Sequence, residues 1–285
     1  MPGPNPPSPV PDRSEWLDRL EHDVALDLAE SVRERGEVLD RLETCFPAYP
    51  DPATARRVEA LRARFEAVDR RLAAGLRADL RAGRGRERLL RLAATSGAVR
   101  GDHYDHLDDL VAGLLQLEAP AAVPEPEAEM VFYQPTPARH VFDLVARLAL
   151  GAGDVFVDLG SGLGHVPMLV GLCTDARATG IEWQPAYVER ARAAAAALQL
   201  QRVVFVQQDA RAADLSTGTV FYLYTPFTGS ILRAVLDALR VEAGKRPIRV
   251  CSYGPCTHVL AREPWLASPE PVEADRIALF GPCIG

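Results

Sequence analysis

Apolar residues recur every three to four positions in the amino-terminal part of the chain, and in short unbroken runs after residue 150. Trp16, Leu17, Leu20, Val24, Leu28 and Val32, with charges between them, predict a helix from Ser14 to about Phe46. The segment Pro47-Ala48-Tyr49-Pro50 breaks it. Val58, Leu61, Phe65, Val68 and Leu72 carry a second long helix from near Pro52 to about Leu80. Gly83 and Gly85 punctuate the pattern, and shorter helices are predicted over 86–96 and 103–117. Residues 13–118 thus read as a small antiparallel all-α bundle. The proline-rich stretch 1–12 is expected to be extended or disordered, and 119–129, rich in proline and glutamate, is expected to link the bundle to a domain over 130–285.

That domain opens with Met130-Val-Phe-Tyr-Gln-Pro-Thr-Pro137 and a helical pattern through Val141, Leu144, Val145 and Leu148, for which Thr136 suits the cap and Pro137 the first turn. Beyond Gly151 and Gly153 the pattern alternates. Strands are predicted at 154–159, 178–182, 203–207, 219–224 and 247–253, with a last one over Arg276–Phe280 and a short, poorly marked one near Trp265. Helices are predicted between them at 165–173, 185–199, 229–242 and 256–262. This alternation means an α/β, doubly wound, mostly parallel sheet, in which ligands bind beyond the carboxyl ends of the strands.

Composition adds limits. The chain has 285 residues, 25% of them charged, and a net charge of −7, which argues against a surface built for nucleic acid. Its five cysteines are odd in number and scattered, and Cys251, Cys256 and Cys283 match no common zinc spacing. No secretory leader pattern and no apolar run of membrane-spanning length is visible, so a reduced, cytoplasmic protein is expected. The arginines at 77, 81, 84, 86, 88 and 91 read as a solvated face rather than a docking patch. Asp102-His103-Tyr104-Asp105-His106 reads as a capped helix start rather than a metal site, and no metal is expected.

The chemistry is concentrated where the strands end. Val155-Phe-Val-Asp158 runs into Leu159-Gly160-Ser161-Gly162-Leu163-Gly164, a turn without Cβ atoms at alternate positions. Dinucleotide enzymes use Gly-x-Gly-x-x-Gly instead. The next strand ends at Gly180-Ile-Glu182, about twenty residues on, where a carboxylate can grip both hydroxyls of a ribose. Trp183 follows and offers a flat face to adenine. The third strand ends at Asp209-Ala210, where the carboxylate can accept the adenine amine. Glycine turn, ribose acid and adenine acid come in chain order.

This ordered set resembles the class I, seven-strand S-adenosylmethionine-dependent methyltransferases, over about 130 to the carboxyl terminus. The resemblance implies S-adenosyl-L-methionine as cofactor, a Rossmann-like seven-strand sheet, and cofactor contacts at Asp158, Gly160, Ser161, Gly162, Gly164, Glu182, Trp183, Asp209 and Ala210. It also implies that the end of the fourth strand faces the transferring methyl group. There the sequence is Tyr224-Thr225-Pro226-Phe227, similar to the Asn/Asp-Pro-Pro-Tyr/Phe of amine-methylating members but without the amide or acid. The upstream Tyr133-Gln-Pro-Thr136, with Asp-Leu-Gly-Ser-Gly-Leu-Gly and Gly-Ile-Glu, is similar to the non-SET histone-lysine methyltransferases. In those proteins the upstream loop folds over the methionine end of the cofactor. Tyr133, Tyr224, Thr225 and Phe227 are accordingly the expected catalytic positions, and Thr136 joins the cofactor set.

The expected function is methyl transfer to an acceptor, a protein side-chain amine first and a small molecule second. A methyltransferase-like module that binds cofactor without turnover is the alternative, kept open by the Thr-Pro-Phe turn. A nicotinamide dehydrogenase is third, disfavoured by the glycine spacing. Membrane partners are not expected.

Overall fold

The computed structural model describes residues 13–47, 51–94, 99–121, 124–125 and 128–283. The expected tail 1–12 and part of the Pro47–Pro50 break lie outside the described residues. By compactness the chain divides at Gly75/Leu76, so the linker read at 119–129 falls inside the second unit.

The first unit contains α1 (Arg13–His22), α2 (Val32–Cys45) and most of α3 (Pro52–Arg81). The single helix expected over 14–46 is broken by a 3-10 turn at Val24–Asp27, which Asp23 caps by accepting from the Ala25 amide at 3.0 Å. The periodicity misled there because Val24 and Leu28 are exposed and do not join the apolar stripe. Trp16, Leu17, Leu20, Leu42, Val58 and Phe65 form the core of this unit. Arg35 is fully buried within it. Its guanidinium donates to Asp69 Oδ1 (2.8 Å from Nε) and to the carbonyls of Leu26 (2.9 Å) and Leu28 at the helix break.

The second unit takes the end of α3 from Leu76 and continues with α4 (Arg86–Leu92) and α5 (His106–Leu115). Both are tied to the sheet domain. Arg86 donates to the carbonyl of Thr174 at 2.9 Å, and Asp108 accepts from the Ala138 amide at 2.8 Å. Asp105 and Asp108 form a reciprocal capping box at the start of α5, which accounts for the Asp102–His106 motif. The arginine stretch is likewise engaged, with Arg84 on Asp79, Arg86 on Asp175 and Arg91 on Glu87. Among the described residues no group of His, Cys, Asp and Glu is placed to hold a metal, and no helix is long and apolar enough to cross a membrane.

Then come α6 (Ala138–Leu148), β1 (Val155–Leu159), α7 (His165–Cys173), β2 (Arg177–Glu182), α8 (Pro185–Ala197), β3 (Val203–Gln207) and β4 (Val220–Tyr224). The chain finishes with α9 (Gly229–Ala243), β5 (Arg249–Tyr253), α10 (Cys256–Leu260), β6 (Leu266–Ala267) and β7 (Ala278–Pro282). The cap expected at Thr136 is absent; Pro137 occupies that position and Thr136 points elsewhere. The sheet order is β3-β2-β1-β4-β5-β7-β6, with β1 to β5 parallel and β7 antiparallel to both its neighbours. β1 is buried on both faces, as expected for a central strand between helix layers. The order reverses between β1 and β4, so a crevice opens beyond their carboxyl ends.

Candidate cofactor and methyl-transfer site

The turn after β1 is shaped by glycine and held by its own backbone. Gly160, Gly162 and Gly164 all have positive φ, at 87°, 51° and 83°. A Cβ on each would run into Pro226, Tyr133 and Phe205 respectively. The missing side chains therefore admit other parts of this chain as closely as they would admit a ligand. Four of the amides of the turn are paired: Gly160 and Ser161 donate to the Ile181 carbonyl (2.8 and 3.0 Å), Gly162 to Glu182 Oε2 (2.8 Å), and Gly164 to the Ser161 carbonyl (2.8 Å). Ser161 Oγ is buried without a partner, and a methyl group at Gly180 would stand 2.5 Å from it. What Ser161 brings to the site is its backbone.

Two carboxyl groups meet behind this turn. Asp158 is buried at the end of β1, where loss of water and then the nearby Glu182 push its carboxyl well above the usual range. Glu182, ending β2, is also raised by burial, although its Oε1 accepts from the Gln184 amide and its Oε2 from Gly162, both at 2.8 Å. Such a pair favours a ligand that brings positive charge or several donors. At the end of β3, Asp209 is bound by the Arg211 guanidinium, Nε lying 3.0 and 2.9 Å from its two oxygens, and this contact holds it below the usual carboxylate range. Ala210 starts a short 3-10 turn, and Trp183 is 41% exposed on the rim of the same pocket.

The end of β4 supplies the opposite wall. Thr225 has φ +38°, a left-handed conformation that is strained for a β-branched residue. Its hydroxyl donates to the Tyr253 carbonyl (3.0 Å) and accepts from the Cys256 amide (3.1 Å), so it is turned into β5 and away from the pocket. Tyr224 faces the pocket with its ring 4.7 Å from that of Tyr253, and burial pushes its phenol up to about 12. Phe227 is buried and bridges Met130.

Residues 129–136 cross over the pocket as a strap. Glu129, at φ +73°, accepts from the Ser230 amide (3.0 Å) and hydroxyl (2.7 Å) and so caps α9, whose N-cap Thr228 offers no side-chain bond. The Val131 amide donates to the Pro226 carbonyl at 3.1 Å. Tyr133 lies on Gly162 with its hydroxyl 2.6 Å from His165 Nδ1. Thr136 Oγ1 is 2.8 Å from the Tyr222 hydroxyl, both groups being buried.

Thus the expected residues from β1, β2, β3, the Tyr224–Phe227 turn and the strap border one pocket, except Gly162, which lies under the Tyr133 ring, and Gly164, which faces Phe205 and Ala191. Within it, the Thr225 hydroxyl and Ser161 Oγ are spent on, or turned toward, other strands. Sequence reasoning missed His165, Tyr187, Gln208 and the site-facing role of Tyr222. His165 carried one weak signal, as a polar residue opening an otherwise apolar helix. Tyr222 carried none, since a tyrosine inside a buried strand reads as core.

The family model for "Histone methylation protein DOT1" matches residues 129–212, under a third of the chain. No curated protein matches. Among solved structures, an RNA methyltransferase from Salinibacter ruber in complex with S-adenosyl-L-homocysteine is similar at 27% identity over 52% of this chain and 92% of that one (TM-score 0.42). A SAM-dependent methyltransferase from Thiobacillus denitrificans, also with S-adenosyl-L-homocysteine, matches at 25% identity over 40% and 46% (TM-score 0.33). Precorrin-6y C5,15-methyltransferase from Geobacter metallireducens matches at 16% over 54% and 93% (TM-score 0.39). With its sheet order β3-β2-β1-β4-β5-β7-β6 and the family match across β1 to β3, the chain has the fold of the class I S-adenosylmethionine-dependent methyltransferases.

Proposed function

We propose that the chain transfers a methyl group from S-adenosylmethionine to an amine, on a protein side chain first and on a small molecule second. The observation that carries this reading is the pair of acids at adjacent strand ends behind the glycine turn, Asp158 buried and Glu182 half-buried. The cofactor carries an α-ammonium group, ribose hydroxyls and a sulfonium, so it suits a pocket in which these two carboxyl groups lack counter-charge. Glu182 would accept the ribose hydroxyls on lone pairs that its two backbone amides leave free, and Asp209 the adenine amine beside Arg211. Trp183 would cover the adenine from the rim.

When bound, this cofactor supplies a methyl group on a positively charged sulfur, open to in-line attack. The chain's part is to align the acceptor, leave its lone pair free and keep water out. Tyr224 and Phe227 present ring surface for that purpose. The Thr225 hydroxyl plays no part, and the Pro226 carbonyl already accepts from Val131, so orientation of the acceptor rests on the aromatic wall and the strained turn.

Titration calorimetry with S-adenosylmethionine and S-adenosylhomocysteine tests the cofactor, and absence of binding ends the reading. Glu182→Ala deletes charge-assisted hydrogen bonds worth roughly 1.5–3 kcal/mol each, so affinity should fall at least tenfold. Incubation with methyl-labelled cofactor and cell extract then shows whether label enters protein, RNA or small molecules. The second reading, a cofactor-binding module without turnover, is favoured by the absence of a side-chain amide or acid at the Thr225-Pro226-Phe227 turn. Tight binding with no label transferred would select it.

A further inference from the structure

Tyr133 reaches the site from the strap, outside the sheet that carries Tyr222 and Tyr224. A strap residue is only as well placed as its anchors. The Tyr133 ring lies on Gly162, and its centroid is 5.2 Å from that of Tyr187, so its sideways position is fixed by packing. Its tilt depends on the hydroxyl, which lies 2.6 Å from His165 Nδ1. His165 is the first residue of α7, directly after Gly164, so it is carried by the glycine turn itself.

We infer that His165 is a positioning residue, whose Nδ1 accepts the Tyr133 hydroxyl proton and sets the strap over the donor end of the pocket. The proposal rests on the cofactor reading above. Burial holds the His165 imidazole down at about 4, far below its ordinary value, and pushes the Tyr133 phenol up. Both groups are therefore neutral across the working range. A neutral phenol donates to a neutral imidazole in its Nε2–H tautomer, and Nδ1 keeps its lone pair for Tyr133. No proton is exchanged and none is needed. The pair is a fixed hinge pin between turn and strap.

A double-mutant cycle on S-adenosylhomocysteine affinity, read by calorimetry, tests this. Tyr133→Phe and His165→Leu should each weaken binding about three- to tenfold, the size of one lost hydrogen bond. The double variant should be no weaker than either single one. His165→Asn, whose side-chain oxygen can take the place of Nδ1, should restore most of the affinity lost in His165→Leu. Thermal melts of each variant, run alongside, separate this from a general loosening of α7, which would lower melting temperature for His165→Asn and His165→Leu alike. Additive losses, unchanged affinity in His165→Leu, or failure of the Asn variant to rescue would each overturn the assignment. If the wild-type chain binds no S-adenosylhomocysteine, the cofactor reading itself falls; if it binds and the cycle is additive, only the role of His165 falls.

Discussion

At the scale of single residues, Asp158 sets up a conflict between fold and function. Its carboxyl is buried beside Glu182 without a cation, so the folded state holds its proton more tightly than the unfolded chain does. For an acid raised in this way, stability is fully present below the ordinary carboxylate pKa and is lost as the pH rises through the raised value. Melting temperature of the ligand-free protein should therefore fall as pH rises from the acid range, and Asp158→Asn should flatten that slope while weakening S-adenosylhomocysteine binding. A wild-type profile equal to that of the variant would show that Asp158 carries no such strain. Asp158, Glu182 and Asp209 were legible in the sequence because each ends an apolar strand, where a charged residue stands out. Thr225 was legible as a position and not as a role. Nothing in the sequence tells that its hydroxyl turns to β5, since that choice depends on a partner strand 28 residues away.

At the scale of elements, strand and helix runs between 155 and 243 follow the sequence pattern within about two residues, because strands buried on both faces and helices between them leave long apolar runs. The pattern failed in the α1–α2 region for a physical reason. A buried arginine, Arg35, satisfies the carbonyls of a break, and apolar periodicity has no way to register that. The strap was legible as a segment, but its two anchorages were not. Glu129 reads as one more acid in an acidic linker, yet it caps α9 about a hundred residues later. Glu129→Ala should leave the α9 amides of Ser230 and Ile231 without their acceptor, lower the melting temperature and speed proteolysis between residues 124 and 132. An unchanged digestion pattern would show that the strap's backbone bonds to Pro226 and Thr228 and its Tyr133 and Thr136 contacts hold it without the Glu129 side chain. Gly162→Ala should act from the other side: its Cβ collides with the Tyr133 ring at a backbone φ of +51°, so S-adenosylhomocysteine binding should be lost or cut severely.

Across the whole molecule, the two compact units invite different experiments. Arg35→Leu takes the guanidinium from Asp69 and from the carbonyls of Leu26, Leu28 and Ala29 in the first unit, a loss of about 3 kcal/mol for breaking a partly buried ion pair. Scanning calorimetry should show the cost, and S-adenosylhomocysteine affinity should be unaltered, since every residue assigned to the pocket lies in the second unit. The division at Gly75/Leu76 was invisible in composition, because α3 runs through it without a break in its periodicity. The second unit carries its own consequence. Four of the five amides from Gly160 to Gly164 have a partner inside the protein, so the cradle needs no guest to hold its shape. In deuterated solvent those four protons should exchange slowly before any ligand is added, and a bound ligand should slow them little further. Its imprint should fall instead on the strap, where Phe132 is 77% exposed and the amides of 132–134 have solvent nearby to trade with.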